Sequence, residues 1–447
     1  MTRIDGETII ANVRKGVTVL GVVALLAAGC QKSAPTTTVS SPSRSPSFSP
    51  ALSVRDRSWR QDIAYLAREV PRVHAGGLTG VSRAAWMAAA GRLEGQVPGL
   101  TDGQVIVGME RMVAMLGDDE TQLILRPSAV YPFAARWIGN GIYLLGVPAA
   151  DRWLLGARLA AVDGHPVREV VARLRPLIDH QDPGIAQGWV VGWGQVSLRW
   201  PGYLFDANLL HWLGVTRSAT AATFTVVTAH GSLRTIKLAA GGGPAGGRLP
   251  RLRYVPAPLY LRHAAEPYWL RILARQRAVY LKYNKCLPGA GFGRLAARAL
   301  AVLRAHPAYR LMVDLRENSG GYLEPFGPLL RGIWDDRAIN VRGRIFGLIN
   351  DSTASAATYD SYVLRQATNA LLIGQQTADP RQKFSDARPL RLPHHDVRIQ
   401  VTRIIFNPSQ TRHGIPDIVV APTLSDWLAG RDPVLAKALA YGRTRGP

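Results

Sequence analysis

Two short stretches constrain this chain more than anything else in it: Leu311 to Gly321 and Gly347 to Thr358. In the first, Leu311, Met312 and Val313 form an apolar run of the kind that makes a buried strand, closed by Asp314-Leu315-Arg316. Asn318-Ser319-Gly320-Gly321 then supplies a turn with two conformationally permissive glycines. The second stretch repeats the plan. Gly347 to Asn350 reads as a strand and Asp351 to Thr353 as a polar turn, and Ser355 opens a helix-favouring run from Ala356 to Ala367. A serine at a strand-to-helix turn sits on exposed backbone beside the free N–H groups of a helix N-terminus. That geometry suits a nucleophile with an oxyanion hole, its donors being the amide of Ala356 and that of Gly320 or Gly321. Read alone, either stretch is more simply a helix N-cap and an ordinary tight turn.

Read together they resemble something specific. Asp314-Leu315-Arg316-x-Asn318-x-Gly320-Gly321, followed by a strand and Thr353-Ala354-Ser355-Ala356, resembles the tail-specific, or C-terminal-processing, serine peptidases. The resemblance continues through Ile373 to Thr377, Leu390 to Pro393, Gly414 to Asp417 and Trp427 to Pro433. It implies an α/β protein with an N-terminal helical region, a PDZ-like domain and a ClpP/crotonase-like serine peptidase core. It also implies peptides or protein tails as substrates, and no cofactor.

The N-terminus sets the expected compartment. Arg14-Lys15 precedes an apolar run from Val17 to Ala28, with small residues before Cys30. That is the layout of a secretory signal, and the run is short for a transmembrane helix. Cys30 directly after Ala28-Gly29 resembles a bacterial lipoprotein signal, which implies lipidation of Cys30 and anchoring of an exported protein to the cell membrane or outer membrane. Residues 31–52 are dominated by Ser, Thr and Pro, too few apolar groups for a core, and read as a disordered tether. Cys286, the second of two cysteines, then has no intrachain partner and reads as a packed thiol. The net charge of +23 permits binding to anionic surfaces, but the basic residues are scattered singly and no nucleic-acid-binding motif is present, so no specific nucleic-acid partner is expected. No His-x-x-x-His or paired-Cys spacing points to a metal.

Along the chain, residues 1–30 read as the signal, 31–52 as the tether, 53–130 as helical, 131–245 as the PDZ-like domain and 250–447 as the peptidase core. Trp59, Ile63, Leu66 and Val70 recur at helical spacing, Ser82 to Leu93 follows as a second helix, and Thr101-Asp102 caps a third. His74, in the loop after the first helix, reads as structural. Arg136 to Leu238 reads as short strands with one helix, Val167 to Leu177. The tract from Leu155 to Val167, with its Leu155-Gly156 pair and Asp163-Gly164 turn, resembles a PDZ-like fold, which takes a peptide at a sheet edge. Gly241 to Gly247 reads as a hinge, and Arg398 to Ile405 as one alternating strand.

A serine hydroxyl needs a base to take its proton. One branch of the family that the chain resembles uses a lysine after Gly-x-x-Thr-x-Gly; here Pro380 stands at that position, and Lys383, three residues beyond, is a candidate base that reaches the serine only if the loop is rearranged. The other branch, similar to the tricorn core protease, uses a histidine in Gly-Asp-x-His-Thr and a glutamate near the Gly-x-x-Pro-Asp segment. Here these positions hold Glu120 and Thr411. Three readings follow: Glu120 itself serves as base, a nearby histidine (His413 first, His394 and His395 after it) substitutes, or the site binds peptides without turnover.

Overall fold

The computed structural model describes residues 52–118, 120–125, 127–178, 183–192, 202–242, 252–378, 384–405 and 414–442. The expected signal, Cys30, the tether up to residue 51, Lys383, Thr411 and His413 lie outside these residues.

Three helices come first. α1 (Val54–Val73) starts where the Ser53 hydroxyl accepts the Asp56 N–H, and it buries Trp59, Ile63, Leu66 and Val70 on one stripe. α2 (Arg83–Gln96) is capped by Ser82, and α3 (Asp102–Ala114) by a reciprocal capping box between Thr101 and Gln104. A short strand, β1 (Gln122–Leu123), follows the turn that carries Glu120.

An antiparallel sheet comes next. It contains β2 (Ala134–Ile138), β3 (Gly141–Pro148), β4 (Arg158–Val162), β5 (Ala221–Val227), β6 (Leu233–Ala239) and β7 (Leu252–Tyr254), in the order β7-β3-β4-β5-β6 with β2 also paired to β3. Ala222, Phe224 and Val226 alternate inward along β5, giving the sheet one buried face. Besides the expected helix, α4 (Val167–Leu174), this part holds α5 (Pro183–Val191) and α6 (Ala207–Trp212). Two differences concern the Gly-rich tract. Gly241–Gly242 is paired backbone, bonded to Ala129–Val130, while residues 243–250 lie outside the described residues. Beyond it, β7 returns to the edge of β3 and satisfies ladder groups there, although the sequence places residues after 250 in the next unit.

The last unit is a six-stranded sheet. β8 (Tyr268–Leu273) pairs antiparallel with β9 (Ala278–Tyr283). From β9 onward, β10 (Arg310–Asp314), β11 (Ile345–Ile349), β12 (Leu371–Gly374) and β15 (Ile418–Val419) run parallel. The crossovers are α7 (Gly291–Ala305), α8 (Gly327–Trp334) and α9 (Ala356–Ala367). Every residue of β9 and β11 is buried, as parallel strands covered on both faces require. One face packs on α7, α8 and α9; the other packs on Tyr260, Trp427 and α10 (Pro433–Ala440). The two organising turns leave the carboxyl ends of β10 and β11, where open parallel sheets place their sites.

β13 (Arg388–Arg391) and β14 (Arg398–Val401) form a hairpin that leaves this sheet and pairs with β1 instead. Its apolar side chains Leu392, Ile399 and Val401 complete the core of α1, α2 and α3. The stretch read as one strand from Arg398 to Ile405 therefore divides. β14 stops at Val401, Thr402 turns inward to a buried partner, and Ile404–Ile405 pairs separately with Phe384–Ser385. Among the described residues no helix is long and apolar enough to cross a membrane.

Candidate active site

Ser355 heads α9 with φ +52° and ψ −128°, a left-handed backbone that an L-residue holds only when its surroundings impose it. The surroundings here are two interlocked turns. The Ala354 N–H donates to the Asn318 carbonyl (2.9 Å), and the Thr353 hydroxyl donates to the Leu315 carbonyl (3.1 Å). The Asn350 carboxamide accepts the Glu317 N–H (3.2 Å) and donates to Glu317 Oε1 (2.7 Å). Gly320, at φ +93°, lies against the nucleophile: a Cβ on it would stand 2.6 Å from Ser355 Cβ and 2.8 Å from the Ala356 nitrogen.

The two glycines divide the work. The Gly320 N–H donates to Asn318 Oδ1 (2.9 Å), so Gly320 supplies space beside Ser355 while Gly321 is the one that can offer its amide. Ala356 is the first residue of α9, where a backbone N–H has no acceptor within its own helix. Gly321 itself sits at φ +136° against the Cys286 carbonyl, which a Cβ would approach to 2.2 Å. Cys286 is the packed thiol expected, fully buried, and burial followed by the neighbouring Asp360 pushes its pKa far up, so it is no nucleophile.

The base position is filled from the other end of the chain. Ser355 Oγ donates to Glu120 Oε1 at 3.4 Å, long for a hydroxyl–carboxylate bond, and both side chains are half-buried. The loop that carries Glu120 is held by Asp118. The Asp118 carboxylate accepts the Glu120 N–H (3.0 Å), the Thr121 hydroxyl (2.6 Å), His74 Nε2 (2.9 Å) and the Thr402 hydroxyl. Burial pushes the Asp118 carboxyl up, but the bonds from His74, Thr121 and Thr402 outweigh it and hold it below the usual carboxylate range.

The structure thus brings Ser355, Glu120, Gly320, Gly321 and Ala356 together. His395 is engaged on α1: its ring stacks on Trp59 at a centroid distance of 3.5 Å, and its Nδ1 lies 2.7 Å from Asp62 Oδ2. The Asp62 carboxylate also accepts the backbone N–H groups of His394 and His395. Among the described residues no group of three His, Cys, Asp or Glu side chains could hold a metal ion.

Two charged clusters that the sequence reading did not single out brace the site. Arg136, on β2, donates to Glu317 (2.9 Å) and to Asp351, one residue from each turn, and lies 4.9 Å over the Trp427 ring. Arg316 binds Asp314 and, through two bonds of 2.8 Å, Asp432, with its guanidinium 3.8 Å from the Tyr260 ring centroid. Beside it, burial lowers the Lys282 ammonium to about 8 against the opposing pull of Asp314. The quoted Asp-Leu-Arg run holds part of this cluster, and the isolated Arg136 carries no comparable signal.

No family model and no curated protein matches the chain. Solved structures do. Mature CPAF complexed with lactacystin aligns at a TM-score of 0.62 and 13% identity, covering 87% of this chain and 98% of that one. Mature CPAF without it aligns at 0.59 and 13%, covering 88% and 99%. The photosystem II D1 C-terminal processing protease aligns at 0.39 and 14%, covering 84% and 98%. At such identities likeness speaks to fold, and over nearly the whole of the mature CPAF chain the match is one of fold: this is an α/β protein with the fold of mature CPAF.

Proposed function

We propose that the chain is a serine-peptidase-type protein of the bacterial cell envelope that takes peptides or unfolded protein tails at Ser355, with impaired hydrolysis. The observation that carries this reading is the contact of Ser355 Oγ with Glu120 Oε1 at 3.4 Å, beside the turn that contains Gly321 and at the head of α9. In the proposed reaction Ser355 attacks a carbonyl carbon and the developing oxyanion is met by the Gly321 and Ala356 amides. Such donors contribute on the order of a hundredfold in rate or more. The Ser355 proton passes to Glu120. A carboxylate has an ordinary pKa of about 4.3 against about 6.5 for imidazole, so it takes a serine proton with less driving force near neutral pH. Acylation is therefore slow, and binding outlasts turnover.

The test is labelling of the purified protein with a fluorophosphonate, with lactacystin as a second probe. Slow labelling that Ser355→Ala abolishes supports the reading. Fast Ser355-dependent cleavage of unstructured peptides overturns the impairment, and no labelling by either probe leaves the alternative, an inactive peptide-binding or scaffold lipoprotein. Glu120→His alone is expected to raise activity weakly, and Glu120→His with Thr411→Glu to raise it further. The envelope location rests on Cys30 and the apolar run before it. Cys30→Ser should remain unprocessed or lose membrane association, and a mature N-terminus elsewhere on a soluble wild type would sink that part. Uptake of the tail at an edge of the antiparallel sheet is the PDZ-like part of the proposal.

A further inference from the structure

We propose that Asp118 is a positioning residue that sets the reach of Glu120 toward Ser355, by tying the end of α1 and the β13–β14 hairpin to the loop that bears Glu120. The inference rests on the Ser355–Glu120 pairing proposed above.

Three segments far apart in sequence meet on this one carboxylate. His74 ends α1, and its Nδ1 accepts the Gly76 N–H at 3.2 Å, so Nε2 carries the proton that it shares with Asp118 Oδ2. Thr121 closes the Glu120 loop. Its oxygen accepts the Thr402 N–H (3.1 Å), and its own proton goes to Asp118 (2.6 Å). Thr402 ends the hairpin; its hydroxyl donates to the same Asp118 oxygen, and its carbonyl accepts the Ala75 N–H at 3.0 Å. The remaining oxygen, Oδ1, accepts the Glu120 N–H and so holds the Glu120 backbone directly. All four of these partners are donors, so an amide at this position would set an N–H against one of them.

The hairpin is held at both ends by the same helix. Its tip lies on Asp62, which accepts the His394 and His395 amides at 3.0 and 3.1 Å. Its base lies on the His74–Asp118 pair. Docking of residues 388–402 on α1 thereby fixes where Glu120 stands, and the 3.4 Å contact with Ser355 is the output of that docking.

The experiment follows the titration of the Glu120 carboxyl by ¹³C NMR in the full folded chain, with Glu120→Gln identifying the resonance. A hydroxyl donor stabilises the charged carboxylate, so in the wild-type background Ser355→Ala should raise the Glu120 midpoint by about half a pH unit. In the Thr402→Val background, and in Asp118→Asn where it folds, that rise should vanish. Thr402→Ser, which keeps the hydroxyl, should restore it. An equal rise in all backgrounds overturns the positioning role and leaves the pairing intact. No rise in the wild-type background removes the Ser355–Glu120 pairing and the positioning role with it.

Discussion

Gly320→Ala puts the geometry of the nucleophile turn to a quantitative test. A methyl on Gly320 would stand 2.6 Å from Ser355 Cβ, 2.8 Å from the Ala356 nitrogen and 3.0 Å from the Ala354 oxygen. Two of these three neighbours are backbone, at the head of a buried helix, so they cannot swing aside. The cost has two parts. Alanine at φ +93° loses about 1–2 kcal/mol for the left-handed backbone. Forcing the turn and α9 apart adds about 1–3 kcal/mol of overpacking. Gly289 provides the control, since it has φ +100° and nothing within 4 Å of the added carbon. Gly289→Ala should therefore lose only the first part. Urea unfolding of both variants measures the difference, expected at about 1–3 kcal/mol. The overpacking is relieved most directly by moving Ser355, so Gly320→Ala should also lose about tenfold or more in fluorophosphonate labelling, while Gly289→Ala keeps the wild-type rate. Equal stability of the two variants, with equal labelling, would refute the close approach of this turn to the nucleophile.

What the sequence made legible follows from how local each signal is. Leu311 to Val313 and Gly347 to Asn350 are apolar runs bounded by turn residues; the first forms the centre of β10, and the second overlaps β11, which starts two residues earlier at Ile345 and stops at Ile349. The start of α9 after Ser355 was legible for the same reason. α6 is too short for its periodicity to show, although Asp206 before Ala207-Asn208-Leu209-Leu210 is a serviceable capping signal and its carboxylate does accept the Leu209 N–H. The break at Thr402 was out of reach of any local rule. Alternation along 398–405 says which residues face inward, but it cannot reveal that Thr402 meets a carboxylate 284 positions earlier. Nothing beside His74 in sequence marks its partner, 44 positions on, so in sequence it is a loop residue and no more. Glu120 was reachable only through the motif around it: resemblance supplied the pairing with Ser355, and the distance came from the structure.

Further outcomes follow from the buried charges. Arg316→Met leaves Asp314 and Asp432 without their guanidinium partner and should cost about 3–5 kcal/mol in urea unfolding; a loss below about 1 kcal/mol would show the cluster to be self-sufficient. Asp62→Asn loosens the tip of the hairpin, so amide hydrogen exchange across 388–401 should quicken while the parallel sheet keeps its protection; uniform quickening would argue for general destabilisation instead. Glu110 gives a pH dependence of definite sign. Its carboxyl is buried, accepts the Leu123 N–H and the Tyr203 hydroxyl, and burial, outweighing both bonds, pushes its pKa up to about 7. The folded state therefore keeps the proton that the unfolded chain, with an ordinary value of about 4.3, has already released. Between those values the unfolded state binds fewer protons, so stability falls as pH rises, by about 3–4 kcal/mol in all, and levels off once pH has passed the folded value. Glu110→Gln can keep both hydrogen bonds and has no proton to lose. Unfolding free energies measured from pH 4.5 to 8 should show that decline in the wild type and lack it in the variant. If the two profiles run parallel, Glu110 is ionised in the folded protein and its charge is met by a group beyond Tyr203 and the Leu123 amide.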